Sequence, residues 1–155
     1  MASFHIAHLL HCNDLAIAAM NHHRHPFAAL LVSPDNTVLM TQTNIDTVNH
    51  AESTLARNAA AAYDAAFLWN CTLYTNIEPC CMCSGTIYWA NIGTVVYAVS
   101  EKALLECTGN HSENPTMDLD ARFVFSRGQK CIKVFGPFDE IKPQILAPHY
   151  KMWKR

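Results

Sequence analysis

The pattern of hydrophobic and polar positions predicts a chain in which helices and strands alternate. Apolar residues recur at helical spacing from residue 4 to about residue 23, which predicts an opening helix. Two apolar runs, residues 26–32 and 37–43, flank the turn signal Ser33-Pro34-Asp35-Asn36 and predict a hairpin. Residues 50–62 are rich in alanine, and their apolar positions recur at helical spacing. They predict a helix that carries His50 in its first turn.

The second half of the chain continues this alternation. Residues 71–77 are rich in strand formers, and Glu78-Pro79 ends that strand and starts a helix, which we expect Gly93 to end. Residues 94–99 form a near-continuous apolar run, which is typical of a fully buried strand. The next clear strand is predicted at residues 131–135.

The segment between these last two strands predicts how they pair. It spans about thirty residues with helical patterns around 102–107 and 119–126, which favours a parallel crossover over a hairpin. The tail from residue 139 to residue 153 predicts a helix that is broken at Pro143 and Pro148.

Composition narrows the class of protein. The chain has 155 residues, half of them apolar, which fits one domain (residues 1–155) with a sizeable core. Lys and Arg number 11 against 13 Asp and Glu, so no strong positive field attracts a polyanion and a nucleic-acid substrate is disfavoured. The chain has seven cysteines, no secretory start and no run of about 18 apolar residues. We therefore expect a protein of the reducing cytoplasm without a membrane span.

Two short motifs carry the candidate chemistry. Cys80 and Cys83 are three residues apart, a spacing that places two thiolates on one face of a helix, where they can bind one zinc ion. A third ligand from His50 would leave the fourth position of a tetrahedral site open to water. Glu52 lies two residues after His50 and, as a hard carboxylate, suits proton transfer better than binding of the metal. Zinc would lower the pKa of the bound water toward about 7.

Other interpretations of the same residues stay open. A Cys-x-x-Cys pair can be a redox site. Cys81 as a fourth ligand would give a closed structural zinc site that needs no Glu52. A zinc-stabilised binding module without turnover is a third possibility.

Together, His50-Ala51-Glu52 and Pro79-Cys80-Cys81-Met82-Cys83 form the H-x-E and P-C-x-x-C signature of zinc-dependent nucleobase deaminases. With this order of strands and helices, the chain resembles the cytidine deaminase-like superfamily over nearly its whole length. It is most similar to the branch of guanine deaminases and tRNA-specific adenosine deaminases. The resemblance implies a three-layer α/β/α sandwich with a mixed five-stranded sheet whose last two strands are parallel. It also implies that His50, Cys80 and Cys83 bind zinc and that Glu52 shuttles protons.

The resemblance and the sequence together suggest residues that contact the substrate. Asn44 matches a base-contacting Asn of the family, and Pro26-Phe27-Ala28-Ala29 matches its Pro-Phe-Gly-Ala strand with Ala28 in place of Gly. Asp118 is a candidate for binding an amino or N–H group, with a surface turn as the alternative. Tyr150 and Trp153 are candidates to close the pocket over a planar ring, with core packing as the alternative. The substrate-binding candidates are Asn44, Phe27, Ala28, Ala51, Pro79, Asp118, Tyr150 and Trp153.

The helix at residues 82–90 resembles the guanine deaminase version, so a free base, with guanine first, is the expected substrate. A nucleoside, cytosine or an aminotriazine would permit the same attack. Adenosine in tRNA is an alternative substrate of a different class. Only a few cationic residues support it, namely His22, His23, Arg24, Lys151, Lys154 and Arg155. The small side chains at residues 59–62 permit close helix approach within or between subunits, and we expect a homodimer.

Overall fold

The computed structural model describes residues 2–153, with side chains from residue 4 onward. Lys154 and Arg155, two of the residues named for the RNA alternative, lie outside this range. The chain forms helices α1 Ala2–Asn21, α2 Ala51–Ala62, α3 Ala65–Trp69, α4 Cys81–Ala90, α5 Glu101–Thr108, α6 Ala121–Ser126 and α7 Lys142–Trp153, and strands β1 Ala28–Val32, β2 Val38–Thr43, β3 Thr72–Ile77, β4 Thr94–Val99 and β5 Lys133–Phe135. A short 3₁₀ helix, Asp139–Ile141, precedes α7.

The five strands form one mixed sheet in the order β2-β1-β3-β4-β5. Strand β1 pairs antiparallel with both β2 and β3, which confirms the predicted hairpin. Strands β3, β4 and β5 run parallel, which confirms the predicted crossover through residues 100–132. Three parallel strands bring their carboxyl ends to one edge, where α4 and α5 begin.

Helices cover both faces of the sheet, as the resemblance implies. Strand β1 is buried on both faces, because its successive side chains point to opposite sides of the sheet and each side is covered. Leu30 and Val32 pack in the cluster that contains residues of α1, α5 and α7. Ala29 and Leu31 pack in the second cluster, with residues of α2 and α4. None of the helices in residues 2–153 combines the length and apolar character that a membrane crossing requires.

The link from α2 to β3 contains a short helix that the sequence pattern did not predict. Helix α3 has only five residues and is started by Asp64, whose carboxylate accepts a hydrogen bond from the Phe67 amide over 2.8 Å. Gly93 does not end α4, contrary to expectation, because Asn91 ends it in the left-handed conformation with φ of 69°. Gly93 instead lies against α3, where a Cβ atom would meet the Trp69 carbonyl oxygen at 1.9 Å. The close approach of α3 therefore requires a glycine at position 93.

The predicted breaks of the last helix are wrong, because α7 runs without interruption from Lys142 to Trp153. Pro143 lies in the first turn, where its missing N–H group would have no helical partner. Pro148 removes one hydrogen bond inside the helix, yet its ring is buried. Packing of the face that includes Ile145 and Trp153 against the sheet offsets that loss.

Candidate zinc centre and substrate cavity

Two helix starts bring three soft ligands together. Cys80 is the N-cap residue of α4 and Cys83 lies in its first turn, and the two Sγ atoms are 3.5 Å apart. His50 is the N-cap residue of α2, one position before the first turn in which we expected it. Its Nδ1 atom lies 3.5 Å from the Sγ atom of each cysteine. The predicted triad is thus assembled by residues 30 and 33 positions apart in the chain.

This triad fits a tetrahedral zinc ion. Zinc–sulfur bonds of about 2.3 Å and zinc–nitrogen bonds of about 2.05 Å imply separations of about 3.8 Å between two sulfurs and about 3.6 Å between sulfur and nitrogen. The observed separations of 3.5 Å match these values within a few tenths of an ångström. His50, Cys80 and Cys83 are the one group of this kind among the described residues, and it does not include Cys81. A zinc ion held by these three ligands would have a fourth position open.

The hydrogen bond of the His50 ring selects the nitrogen that faces the thiols. Nε2 lies 3.0 Å from the Thr47 carbonyl oxygen, to which it can donate its proton. That assignment leaves the lone pair of Nδ1 free to bind a metal. The backbone before α2 therefore orients the imidazole.

The surroundings of Cys80 favour ionisation of its thiol. The neighbouring Cys83 thiol and the His50 ring lower the pKa of Cys80, although burial opposes this, while the same pairing raises the pKa of Cys83. Zinc binds the thiolate and not the thiol, so a lowered pKa favours metal binding at neutral pH.

Glu52 lies within the first turn of α2 and is only 5% exposed. The Thr75 hydroxyl on β3 donates a hydrogen bond to its Oε1 atom over 3.1 Å. Burial, assisted by the charge of Cys80, raises the pKa of Glu52 to about 7. A carboxyl group with such a pKa can both accept and donate a proton near neutral pH.

His50, Cys80 and Glu52 line a cavity of about 250 Å³, whereas Cys83 is fully buried next to it. That volume lies just below the range of about 300–1,000 Å³ typical of pockets for drug-sized ligands, so it suits a single heterocycle. Phe27 and Asn44, both predicted to contact the substrate, line it together with His50, Glu52 and Cys80. Asn44 is buried, and its side-chain amide donates to the Asp46 carbonyl over 3.2 Å.

Six predicted substrate contacts do not line this cavity. Ala28, Ala51 and Pro79 are buried beside residues that do, because each is the chain neighbour of a lining side chain and packs into the core instead. Asp118 is exposed and borders a neighbouring cavity with Lys102 and Phe123. The cavity wall therefore does not include these four side chains, and their contact with a substrate stays a prediction.

The two aromatic residues of α7 do not close the cavity directly. Tyr150 is 45% exposed and lies outside the cavity wall. Trp153 is only 4% exposed, and its ring centre lies 4.8 Å from that of His25 and 6.3 Å from that of Phe27. His25 and Phe27 do line the cavity, so Trp153 supports the wall from behind.

The structure adds wall residues that the sequence pattern did not identify. They come from the residue after β3, from α5 and from the segment before α6, and they include Glu78, Glu101, Leu104, Glu113, Asn114, Thr116 and Met117. Glu78 fixes this side of the cavity, because its carboxylate accepts hydrogen bonds from the Glu101 amide at 2.9 Å and the Ala121 amide at 2.7 Å. Residue type and spacing alone give no signal for this pairing, since its partners are 23 and 43 positions away.

Comparison with known proteins places this site in a family. The family described as "Cytidine and deoxycytidylate deaminase zinc-binding region" matches residues 3–99, which contain the triad and Glu52. A probable cytosine deaminase of Schizosaccharomyces pombe is 29% identical over 152 residues, covering 96% of this chain and 91% of that protein. Guanine deaminase of Bacillus subtilis is 43% identical over 109 residues, covering 68% of this chain and 64% of that protein.

The fold agrees with the sequence matches. The crystal structure of guanine deaminase from Bacillus subtilis superimposes with a TM-score of 0.58 and 28% identity, covering 90% of each chain. The mixed five-stranded sheet with helices on both faces is thus the fold of this family.

Proposed function

The chain belongs to the family of zinc-dependent cytidine and deoxycytidylate deaminases, and from this premise we propose that it deaminates a free nucleobase, with guanine as the first candidate. The enzyme is a hydrolase that acts on a C–N bond of a cyclic amidine. One observation carries the proposal. His50, Cys80 and the buried Glu52 line the same small cavity, and the third soft ligand, Cys83, lies 3.5 Å from both His50 and Cys80.

The residues of this cavity divide the chemistry between them. His50, Cys80 and Cys83 would hold the zinc ion, which when bound supplies a Lewis acid that activates water. The Glu52 carboxylate accepts a proton from the attacking water, delivers it to the ring nitrogen next to the amidine carbon, and passes a second proton to the departing ammonia. The Thr75 hydroxyl orients Glu52, while Phe27 and Asn44 hold the ring.

Cavity size and charge support a free base over a polynucleotide. The cavity volume suits one ring system, and neither Lys nor Arg lies among the described residues that line it. His22, His23 and Arg24 are exposed after α1, but this short group offers few of the phosphate contacts that tRNA binding requires. Guanine ranks first because the Bacillus subtilis relative at 43% identity is a guanine deaminase. A role in purine metabolism would follow.

The proposal is tested by measuring ammonia release from guanine, cytosine, adenine, their nucleosides and an aminotriazine by the zinc-loaded protein. We expect turnover of at least one free base and loss of turnover in Glu52→Ala with zinc retained. Release from no base, or equal activity in Glu52→Ala, would overturn the proposal. If tRNA instead binds with an affinity that falls steeply with salt and only its adenosine reacts, the RNA alternative is correct.

A cytoplasmic homodimer completes this proposal. The chain carries seven cysteines and resembles no disulfide scaffold, which fits a reducing compartment. Trp89 on α4 is 80% exposed and lies beside the half-buried Tyr88, which supports a subunit contact on this helix. Light scattering should give twice the subunit mass, and Trp89→Glu should shift it toward the monomer. A monomeric wild type would contradict the dimer.

A further inference from the structure

Glu101, the first residue of α5, is a buried acid in the wall of the substrate cavity. It is 5% exposed and lines the cavity together with Ile77 and Leu104. Glutamate in the first turn of a helix is ordinarily a surface residue that interacts favourably with the helix dipole. The helix dipole therefore does not explain why the Glu101 side chain is buried.

The local structure does not use the Glu101 side chain. Ser100 starts α5, and its hydroxyl accepts the hydrogen bond of the Ala103 amide over 3.1 Å. The backbone amide of Glu101 is bound by the Glu78 carboxylate. Helix initiation and backbone hydrogen bonding are both satisfied without the Glu101 carboxyl group.

No residue in the described range 2–153 makes a hydrogen bond or an ion pair with the Glu101 carboxyl group. A polar side chain that is almost fully buried and has no protein partner destabilises a fold. Glu101 borders both the substrate cavity and the neighbouring cavity of Asp118, and of these the substrate cavity also contains Glu52 and the zinc ligands His50 and Cys80. A molecule in the cavity is thus the available partner.

The surroundings of Glu101 favour the neutral acid. Burial raises the pKa of Glu101 to about 9, and the negative charges of Cys80, Glu52 and Glu78 act in the same direction. A neutral carboxyl group offers one O–H donor and one carbonyl acceptor side by side. It can exchange the two roles by moving its proton between the oxygens.

We propose that Glu101 is a specificity-determining residue that pairs with an adjacent donor and acceptor on the edge of the base, such as the O=C–N–H edge of guanine or cytosine. The inference rests on the proposed base deaminase function and adds a rule to it. A base that lacks the carbonyl oxygen and the adjacent N–H loses this pair of hydrogen bonds and leaves the Glu101 carboxyl group unpaired. Glu101 does not transfer protons in the reaction, so its removal leaves zinc and Glu52 in place.

Matched substrates isolate this pairing. Guanine and 2-aminopurine carry the same reacting amino group, but 2-aminopurine lacks both the carbonyl oxygen and the adjacent ring N–H. Cytosine and 4-aminopyrimidine form the equivalent pair. Ammonia release should be measured for both pairs, and KM, kcat and zinc content should be determined separately. The proteins to compare are the wild type, Glu101→Gln and Glu101→Leu. Glu106→Gln, on the exposed side of α5, is the control.

The quantity to compare is the ratio of kcat/KM for the oxo base to kcat/KM for its analogue. We expect this ratio to fall by about 10- to 100-fold in Glu101→Leu, chiefly through KM, while zinc is retained. Glu101→Gln keeps one donor and one acceptor and should stay within about 3-fold of the wild type, as should Glu106→Gln.

The outcomes separate the two levels of the proposal. If the wild type deaminates a base but Glu101→Leu lowers both members of the pair equally, or neither, the pairing by Glu101 is wrong and the deaminase function stands. If Glu101→Gln loses the preference as Glu101→Leu does, the donor and acceptor pair is also wrong. If the wild type releases ammonia from no base, the proposed function fails and this inference fails with it.

Discussion

The Thr75 hydroxyl on the central strand β3 lies 3.1 Å from the Glu52 carboxylate at the start of α2, and both residues are buried. The same hydroxyl is 2.9 Å from the Ile77 carbonyl oxygen, so its proton is shared between two acceptors. This contact links the proton-transferring residue to the rigid centre of the sheet. Catalytic groups gain most from such support when it fixes a rotamer and adjusts a pKa together.

Thr75→Val should weaken catalysis without loss of zinc. The Thr75 hydrogen bond lowers the pKa of Glu52 against the effect of burial, so its removal raises that pKa further. Less Glu52 is then ionised at neutral pH. We expect kcat/KM at pH 7 to fall by about 3- to 10-fold and the acidic limb of the pH profile to move to higher pH. Thr75→Ser, which keeps the hydroxyl, should keep the wild-type profile. An unchanged limb in Thr75→Val would show that the hydrogen bond has no role in proton transfer.

Zinc content should distinguish the neighbouring cysteines. Cys83 belongs to the triad, whereas the Sγ atom of Cys81 lies 3.5 Å from the Sδ atom of Met117 at the cavity wall. Cys83→Ala should lose most of its zinc and its ammonia release, as measured by atomic absorption and enzyme assay. Cys81→Ala should retain about one zinc per chain and most of its activity. Loss of zinc in Cys81→Ala would favour the closed structural site.

Chelation should destabilise the wild type through the same site. A zinc ion present at 100 times its dissociation constant contributes about 2.7 kcal/mol to the free energy of unfolding. Dialysis against a chelator should therefore lower the melting temperature and abolish activity, and added zinc should restore both. An unchanged melting temperature in protein shown to be zinc-free would contradict a metal bound by the folded triad.

His149 should make the fold less stable in acid. This ring is fully buried, and desolvation lowers its pKa to about 3 from an ordinary value of 6.5. Below pH 6.5 the unfolded chain binds a proton that the folded ring does not, so stability falls with pH until about pH 3. The contribution is about 2 kcal/mol between pH 7 and pH 5.

Urea unfolding at the two pH values measures this effect as a difference between variants. His149→Gln removes the titrating ring and should lose less stability between pH 7 and pH 5 than the wild type, by about 2 kcal/mol. The exposed His22→Gln is the matched control and should follow the wild type. Equal pH dependence in wild type and His149→Gln would show that His149 does not contribute.

Trp153 should matter for stability and for the shape of the cavity wall. Its indole N–H donates to the His149 ring over 3.0 Å, and its ring packs beside His25 and Phe27. Trp153→Ala should lower the free energy of unfolding by about 3–5 kcal/mol and raise KM, because Phe27 and His25 lose their support. Trp153→Phe should lose less of both. Full stability of Trp153→Ala in urea would contradict this packing.

The sequence by itself indicated the metal centre and two of the strand pairings. His50, Glu52, Cys80 and Cys83 could be predicted because they lie at two helix starts whose signals are local, an alanine-rich stretch and Glu78-Pro79 after a strand. The hairpin and the parallel crossover followed from short apolar runs and from the length of the segment between them. Local spacing was sufficient there because each motif and each strand is recognised from residues close in the chain, although the fold joins His50 to Cys80 and Cys83 across 30 and 33 positions.

Tertiary structure decided the rest of the site. Thr75 reaches Glu52 across 23 positions, and Glu78 brings α5 and α6 to the cavity across 23 and 43. The same reason explains α3, Gly93 and the unbroken α7, because packing against distant elements outweighs local helix preference. Zinc ligands can be recognised in a sequence by residue type and spacing. The walls of a cavity depend on which side chains the fold places opposite one another.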